Sequence, residues 1–279
     1  MSKHHAPLRE PIDPSMTSPL NFALAERDRE TVAMVRRAIE RRDVVLAFQP
    51  IIQTLHPERP AFYEGLIRVL DDKGRVIPAK EFIEAVETTE LGRKIDCLAL
   101  EMGLASLAED RNLRLAINMS ARSIGYPEWT RILNRGLALE ETVAERLILE
   151  ITESSAMAMP ELVSVFMQDL QLKGISFALD DFGAGYTSFR YLREFYFDIL
   201  KIDGQFITGI AHNPDNQVLT QALLSIARHF EMFTVAEAVE SAEDAAYLSQ
   251  LGVDCMQGYY FGAPTIMPPW KTPPAKKRA

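Results

Sequence analysis

Eight polar residues stand within or just after short apolar runs of the chain: Glu64, Asn118, Glu150, Asp180, Asp181, Lys201, Glu237 and Gln257. Glu64, Asn118, Glu150, Asp180, Asp181 and Glu237 offer carboxylate or amide oxygens, a donor set that suits hard divalent ions such as Mg²⁺ or Mn²⁺ far better than zinc. Carboxylates crowded together repel one another, and they stay ionised at neutral pH only with cations between them. The adjacent pair Asp180 and Asp181 can serve two cations at once. Taken singly, each residue has a plainer role. A strand-end Asp or Glu is commonly a helix cap or a solvated loop group, Asn118 can begin the next helix, and Lys201 can pair with Asp203. The inference rests on their joint occurrence.

Convergence needs a scaffold. The runs are VVLAFQPI, AFYEGLIRV, LRLAINMS, RLILEIT, ISFALDD, FDILKID, FTVAEAVE and VDCMQGYYF. Most are separated by helical patterns such as ELVSVFMQDLQLKG and DNQVLTQALLSIARHFEM. Eight strands alternating with helices predict an α/β barrel, with a doubly wound open sheet as the alternative. In a (β/α)8 barrel the carboxyl ends of the strands surround one mouth, where catalytic groups gather. The 279 residues, 47% hydrophobic and 25% charged, suffice for one domain of that size.

The flanks read differently. Residues 1–22, with prolines at 7, 11, 14 and 19, predict a flexible leader, and Val32, Val35 and Ile39 give a helix from about Ala23 to Arg42 one apolar face. The body is expected over 23–267 and a flexible basic tail over 268–279. No apolar run approaches the roughly 20 residues of a membrane span, and no secretory signal opens the chain, so a soluble cytoplasmic protein without a membrane partner is expected. The net charge of −9, with one dense basic run at Lys276, Lys277 and Arg278, argues against a long nucleic acid as partner. Cys97 and Cys255 lack metal-ligand spacing and read as reduced, packed thiols.

The motifs carry a resemblance. YEGLIR is similar to the signature of the EAL family of cyclic di-GMP phosphodiesterases, and further matches follow in family order: FQPI from Phe48, INMS with Asn118, LEITES with Glu150 and Glu153, DDFGAGYTS from Asp180, KID from Lys201, AEAVE from Ala236, and QGYYFGAP from Gln257. They span about residues 44–265. The resemblance implies a modified TIM (β/α)8 barrel whose first strand runs antiparallel to the rest. It implies that Glu64, Asn118, Glu150 and Asp180 hold one divalent cation and Asp180, Asp181 and Glu237 another, Mg²⁺ or Mn²⁺, with Ca²⁺ inhibiting. Glu64, Glu237 and Lys201 then take catalytic parts, the lysine beside the attacking water. Arg68, Gln49, Leu66, Gln257 and Pro264 match positions at the substrate, cyclic di-GMP. The segment Phe182–Ser188, with Gly183 and Gly185, matches a mobile loop anchored by Glu153 that links the metals to homodimerisation.

The sequence departs from the family at four places: Gly65 for alanine, Val69 for tryptophan, Ala184 for threonine and Ala238 for glycine. None removes a cation ligand or the lysine, and the Cβ of Ala238 matters if that backbone needs a positive φ. A catalytically silent EAL domain serving as a cyclic di-GMP receptor or protein-interaction module is the main alternative. An aldolase using Lys201, a one-metal enolase-type site, and hydrolysis of linear nucleic acid are the others.

Overall fold

The computed structural model describes residues 18–184 and 192–271. Among the described residues, nine strands form one sheet: β1 (Val44–Gln53), β2 (His56–Leu70), β3 (Val76–Pro78), β4 (Leu115–Asn118), β5 (Leu147–Thr152), β6 (Ser176–Phe182), β7 (Ile199–Ile202), β8 (Phe233–Ala236) and β9 (Cys255–Gln257). The order β1-β9-β8-β7-β6-β5-β4-β2-β3, together with pairing of β1 to β2, closes eight strands into a barrel and leaves β3 on the outer edge of β2. Strand β1 is antiparallel to both neighbours, whereas β2 and β4 to β9 run parallel. The modified barrel implied by the resemblance is therefore the fold.

Each barrel strand contributes one residue to a compact interior layer: Ile51, Phe62, Ala116, Ile148, Ala178, Ile199, Val235 and Cys255. A larger cluster fills the space between the strands and the surrounding helices. Among the helices, Glu90–Glu109 lays Gly103 against β4, where a Cβ would lie 2.7 Å from Ile117 Cδ1. A Cβ on Gly65 would meet the same methyl at 2.7 Å. Ile117 thus fills a slot that two glycines leave open, which accounts for glycine where the family has alanine. Gly65→Ala is expected to destabilise the fold by about 1–2 kcal/mol, and Ile117→Val in the same chain to recover most of it, because that removes the clashing methyl. Chemical denaturation of the single and double variants measures the coupling.

Two boundaries differ from expectation. The first helix begins at Pro19 and runs to Arg41, with Pro19 in its first turn, where a missing N–H costs no hydrogen bond. Residues 1–17 of the expected leader lie outside the described residues. At the other end, the expected tail starts on the body: Pro269–Lys271 form a short helical turn, and the Trp270 ring meets Phe48 at 5.3 Å and Tyr63 at 4.5 Å between centroids. The indole covers strands β1 and β2, a long-range contact that local polarity conceals. Residues 272–279 lie outside the described residues. Among the described residues, no helix is long and apolar enough to cross a membrane.

Candidate active site

Side chains two residues apart on a strand share a face. One step toward the mouth from the interior layer, that rule places Glu64 after Phe62, Asn118 after Ala116, Glu150 after Ile148, Asp180 after Ala178, Lys201 after Ile199, Glu237 after Val235 and Gln257 after Cys255. On the antiparallel β1 the same step runs backward, from Ile51 to Gln49, which pairs with Glu64. Every barrel strand therefore delivers one polar residue to a second ring, directly above the apolar one.

At the centre of this ring sits Lys201, 1% exposed. Its Nζ lies 2.7 Å from Glu237 Oε1, 2.9 Å from Asp180 Oδ1, 3.1 Å from Glu150 Oε2 and 3.6 Å from Glu64 Oε2. The alternative partner Asp203 instead caps the next helical turn, accepting from the Gln205 N–H at 2.8 Å. Asn118 Nδ2 donates to Glu64 Oε1 at 2.7 Å, and Gln257 Nε2 donates to Glu64 Oε2 and to Gln49 Oε1. Gln49 Nε2 in turn donates to the Gly262 carbonyl at 3.1 Å. Nearby, Phe48 and Thr265 exchange backbone hydrogen bonds, so the segment carrying Pro264 is tied to the rim of β1.

Adjacent acids on a regular strand face opposite ways, yet Asp180 and Asp181 both bring a carboxylate oxygen near Glu237. The β6–β7 register slips between Leu179 and Phe182, and Asp181 takes φ 54. That left-handed residue, which Asp tolerates better than most, turns the second carboxylate toward the first. One ligand oxygen each from Asp180, Asp181 and Glu237 then falls within 4.8 Å of the others. Just beyond, Gly183 adopts φ 95, and its N–H donates to Glu153 Oε2 at 3.0 Å. Glu153 thus accepts from the backbone where the expected loop begins, and Gly185 to Ser188 lie outside the described residues. Ala238 has φ 51, the strained conformation its departure from glycine made a concern. Its methyl lies over Gly204, where a Cβ would come within 2.6 Å of it.

Electrostatics here are severe. Burial pushes the Glu150 carboxyl well up, and Glu64, Asp180 and Glu237 add to this against Lys201. Burial likewise carries Glu237 up to about 8 and Asp181 up to about 6. Burial also works to raise Glu64, but Lys201 and the hydrogen bonds from Gln257 and Asn118 overcome it and hold that carboxyl below its usual range. Burial alone would lower Lys201; the surrounding carboxylates raise it well above an ordinary lysine instead.

The donors fit hard divalent cations. Glu150 is fully buried, and its Oε1 has no hydrogen-bond partner among the described residues, while the charges around it exceed what one ammonium can balance. A pH effect follows. Glu237, raised from 4.5 to about 8, binds a proton in the folded state that the unfolded chain lacks across that window, so its contribution to stability falls as pH rises through it. Asp181 acts in the same direction between 3.8 and about 6. Without divalent cations, the melting temperature is expected to fall by several degrees from about pH 5.5 to 8, and saturating Mg²⁺ or Mn²⁺ to flatten the decline. Scanning calorimetry across that range is the check.

Arg68 and Leu66 follow Glu64 at two-residue steps along β2, partly exposed toward the mouth. An open cavity of about 510 Å³ beside the ring is lined by Gln49, Glu237, Gln257, Lys80, Gly204 and Tyr259, among others. Lys80 and Tyr259 were not foreseen. Tyr259 is legible after the fact, two residues beyond Gln257 in QGYYF, whereas Lys80 arrives on the turn after β3, a strand that no apolar run announces.

A family model described as the EAL domain matches residues 32–264. The cyclic di-GMP phosphodiesterase PdeF of Escherichia coli is 33% identical over 243 residues, covering 85% of this chain and 32% of that protein. The bifunctional diguanylate cyclase/cyclic di-GMP phosphodiesterase MucR of Pseudomonas aeruginosa is 30% identical over 250 residues, covering 87% and 36%. The chain spans about a third of the length of these curated relatives. Among solved structures, the PaMucR phosphodiesterase in complex with c-di-GMP superposes with a TM-score of 0.77 at 28% identity, covering 85% of this chain and 97% of that one. The FimX EAL domain from Pseudomonas aeruginosa bound to c-di-GMP gives 0.75 at 27%, with the same coverage.

Proposed function

Because the chain belongs to the EAL domain family, we propose that it hydrolyses cyclic di-GMP to linear pGpG with two divalent cations, Mg²⁺ or Mn²⁺. The observation that carries this reading is the buried gathering of Glu64, Glu150, Asp180 and Glu237 around Lys201, with Glu150 Oε1 left unsatisfied. Glu64, Asn118, Glu150 and Asp180 would hold one cation and Asp180, Asp181 and Glu237 the other. Such a pair supplies Lewis acidity toward a phosphodiester oxygen and acidifies a water.

The chain's own groups supply the rest. Lys201 is held as an ammonium by its four carboxylate neighbours, so it enters as a donor that orients water and stabilises charge developing on phosphorus. Arg68, partly buried and close enough to Glu64 to feel its charge, offers a fork of donors to a phosphate. Gln49 and Gln257 fix Glu64 by hydrogen bonds and border the cavity where the nucleotide would lie. Glu153 holds the loop that begins at Gly183. A homodimer, implied by the family resemblance, is the assembly we infer.

Water attacks phosphorus, the bond to the 3′ oxygen breaks, and that oxygen leaves as a hydroxyl. In ¹⁸O-labelled water with Mn²⁺, mass spectrometry is expected to find pGpG carrying one heavy oxygen on its terminal phosphate. Full recovery of intact cyclic di-GMP, with binding retained, would replace this reading with a receptor.

A further inference from the structure

At the end of the barrel away from the carboxylates lies a cavity of about 730 Å³. Its roof is the interior layer itself: Phe62, Ile199, Val235 and Cys255 line it, together with Phe233 and Val253 one step farther from the mouth. In barrels of this kind side chains fill the interior in successive layers, and the far end serves stability. Here the layer below Phe62 and Val235 leaves a hollow, and two large apolar side chains at it stay in water, Phe233 at 66% exposed and Leu55 at 84%. The volume lies within the range of small-molecule sites, which are mostly apolar with a few placed polar groups.

The polar groups are few. Gln53, Thr54, His56, Arg114, Ser249 and Asp254 supply the polar part of the lining. Asp254 is engaged, its Oδ2 accepting from the Thr234 N–H at 2.9 Å and hydroxyl at 2.7 Å, and His56 lies 3.8 Å from Glu58 on the surface. Two of the other groups bear on what the hollow could hold. Thr54 is 8% exposed, and its Oγ1 is a buried oxygen without a hydrogen-bond partner among the described residues. Arg114, just before β4 and two residues before Ala116, lines the hollow and makes no ion pair among the described residues. Guanidinium without a carboxylate at the edge of an apolar hollow is complementary to an anionic head on an apolar body.

We propose that this cavity is a second ligand site, distinct from the carboxylate ring, and that it takes a small amphipathic monoanion. The apolar body lies against Phe62, Ile199, Phe233 and Val235, the acidic head pairs with Arg114, and the Thr54 hydroxyl meets a polar atom of the ligand. The interior layer separates this site from the catalytic one, so the two are independently testable.

Isothermal titration of the full chain with decanoate, below its micellar concentration, is the test. One decanoate per chain is expected. Decanol, with the same body and no charge, and the variant Arg114→Ala should each weaken binding about tenfold, the loss of one charge-assisted contact. Ala61 also lines the hollow and packs against the interior layer, and Ala61→Trp, which fills that space, should abolish binding. Arg114 is exposed, so its truncation leaves the fold intact, and cyclic di-GMP turnover by that variant should match the parent whatever the outcome at the ring. Absence of saturable binding, or equal affinity for decanol or in Arg114→Ala, overturns the proposal. So does binding that appears only in a chain ending at Lys271, which would assign the hollow to the chain's own tail, or binding that tracks dimer dissociation.

Discussion

Replacing Lys201 with methionine is expected to lower the melting temperature by roughly 10 °C at pH 8 and to reduce turnover at least about a thousandfold. Methionine keeps an unbranched apolar stem and lacks the terminal ammonium, so the effect reports the loss of that group. Glu64, Glu150, Asp180 and Glu237 lie within 3.6 Å of Nζ in the parent, and in the variant they face one another without a counter-ion. Removing one partner from a buried charge group costs about 3–5 kcal/mol, and more where several like charges remain. The sign with pH is fixed by the same groups. Without Lys201 the carboxyls that burial already raises, Glu150 and Glu237, rise further, so the folded variant holds protons that the unfolded chain has released. Its deficit against the parent should therefore grow as pH rises from about 5 to 8. Mg²⁺ or Mn²⁺ should restore much of the stability, because a cation replaces the missing charge, and little of the activity, because the donor to the reacting oxygens is gone. Equal melting temperatures across that range would refute the electrostatic reading of Lys201.

Asp180→Asn should separate activity from stability in the opposite sense. Asp180 is the carboxylate assigned to both cations, it is 7% exposed, and it stands beside Asp181 on the bulged end of β6. The amide keeps the shape and removes one negative charge. In the absence of divalent cations the variant should be as stable as the parent or more so near pH 8, since Glu150, Asp181 and Glu237 are each raised by the Asp180 charge. Turnover should fall about a thousandfold or more, chiefly in kcat, and the rise in melting temperature on adding Mn²⁺ should shrink to a degree or two. A variant that keeps both its activity and its full response to Mn²⁺ would remove Asp180 from the shared position.

Much of this site is legible in the chain because it is periodic. Phe62 and Glu64, Ile148 and Glu150, Ala178 and Asp180, Val235 and Glu237 repeat one pattern, an interior apolar residue followed two positions later by an acid. Strand alternation makes that pattern a ring once the sheet closes. What alternation lacks is direction: the reversal of β1 came from the resemblance, since a two-residue period reads the same from either end of a strand. Alternation also misassigns Asp181, which a regular strand would turn from the site and which φ 54 brings back. Lys80 and Trp270 were hidden for another reason. Their positions depend on contacts made by segments with weak local signals, the turn after β3 and a proline-rich end that reads as polar. The prolines before the first helix misled in the same manner, because Pro19 begins that helix rather than breaking it.

The most direct test of the central claim is the rate at which the purified chain converts cyclic di-GMP to pGpG with saturating Mn²⁺, followed by chromatography beside Glu64→Ala and a chelated control. Steady, cation-dependent appearance of pGpG that is lost in both controls is the predicted result. Undiminished substrate with the parent chain, or the same rate with Glu64→Ala, would contradict it.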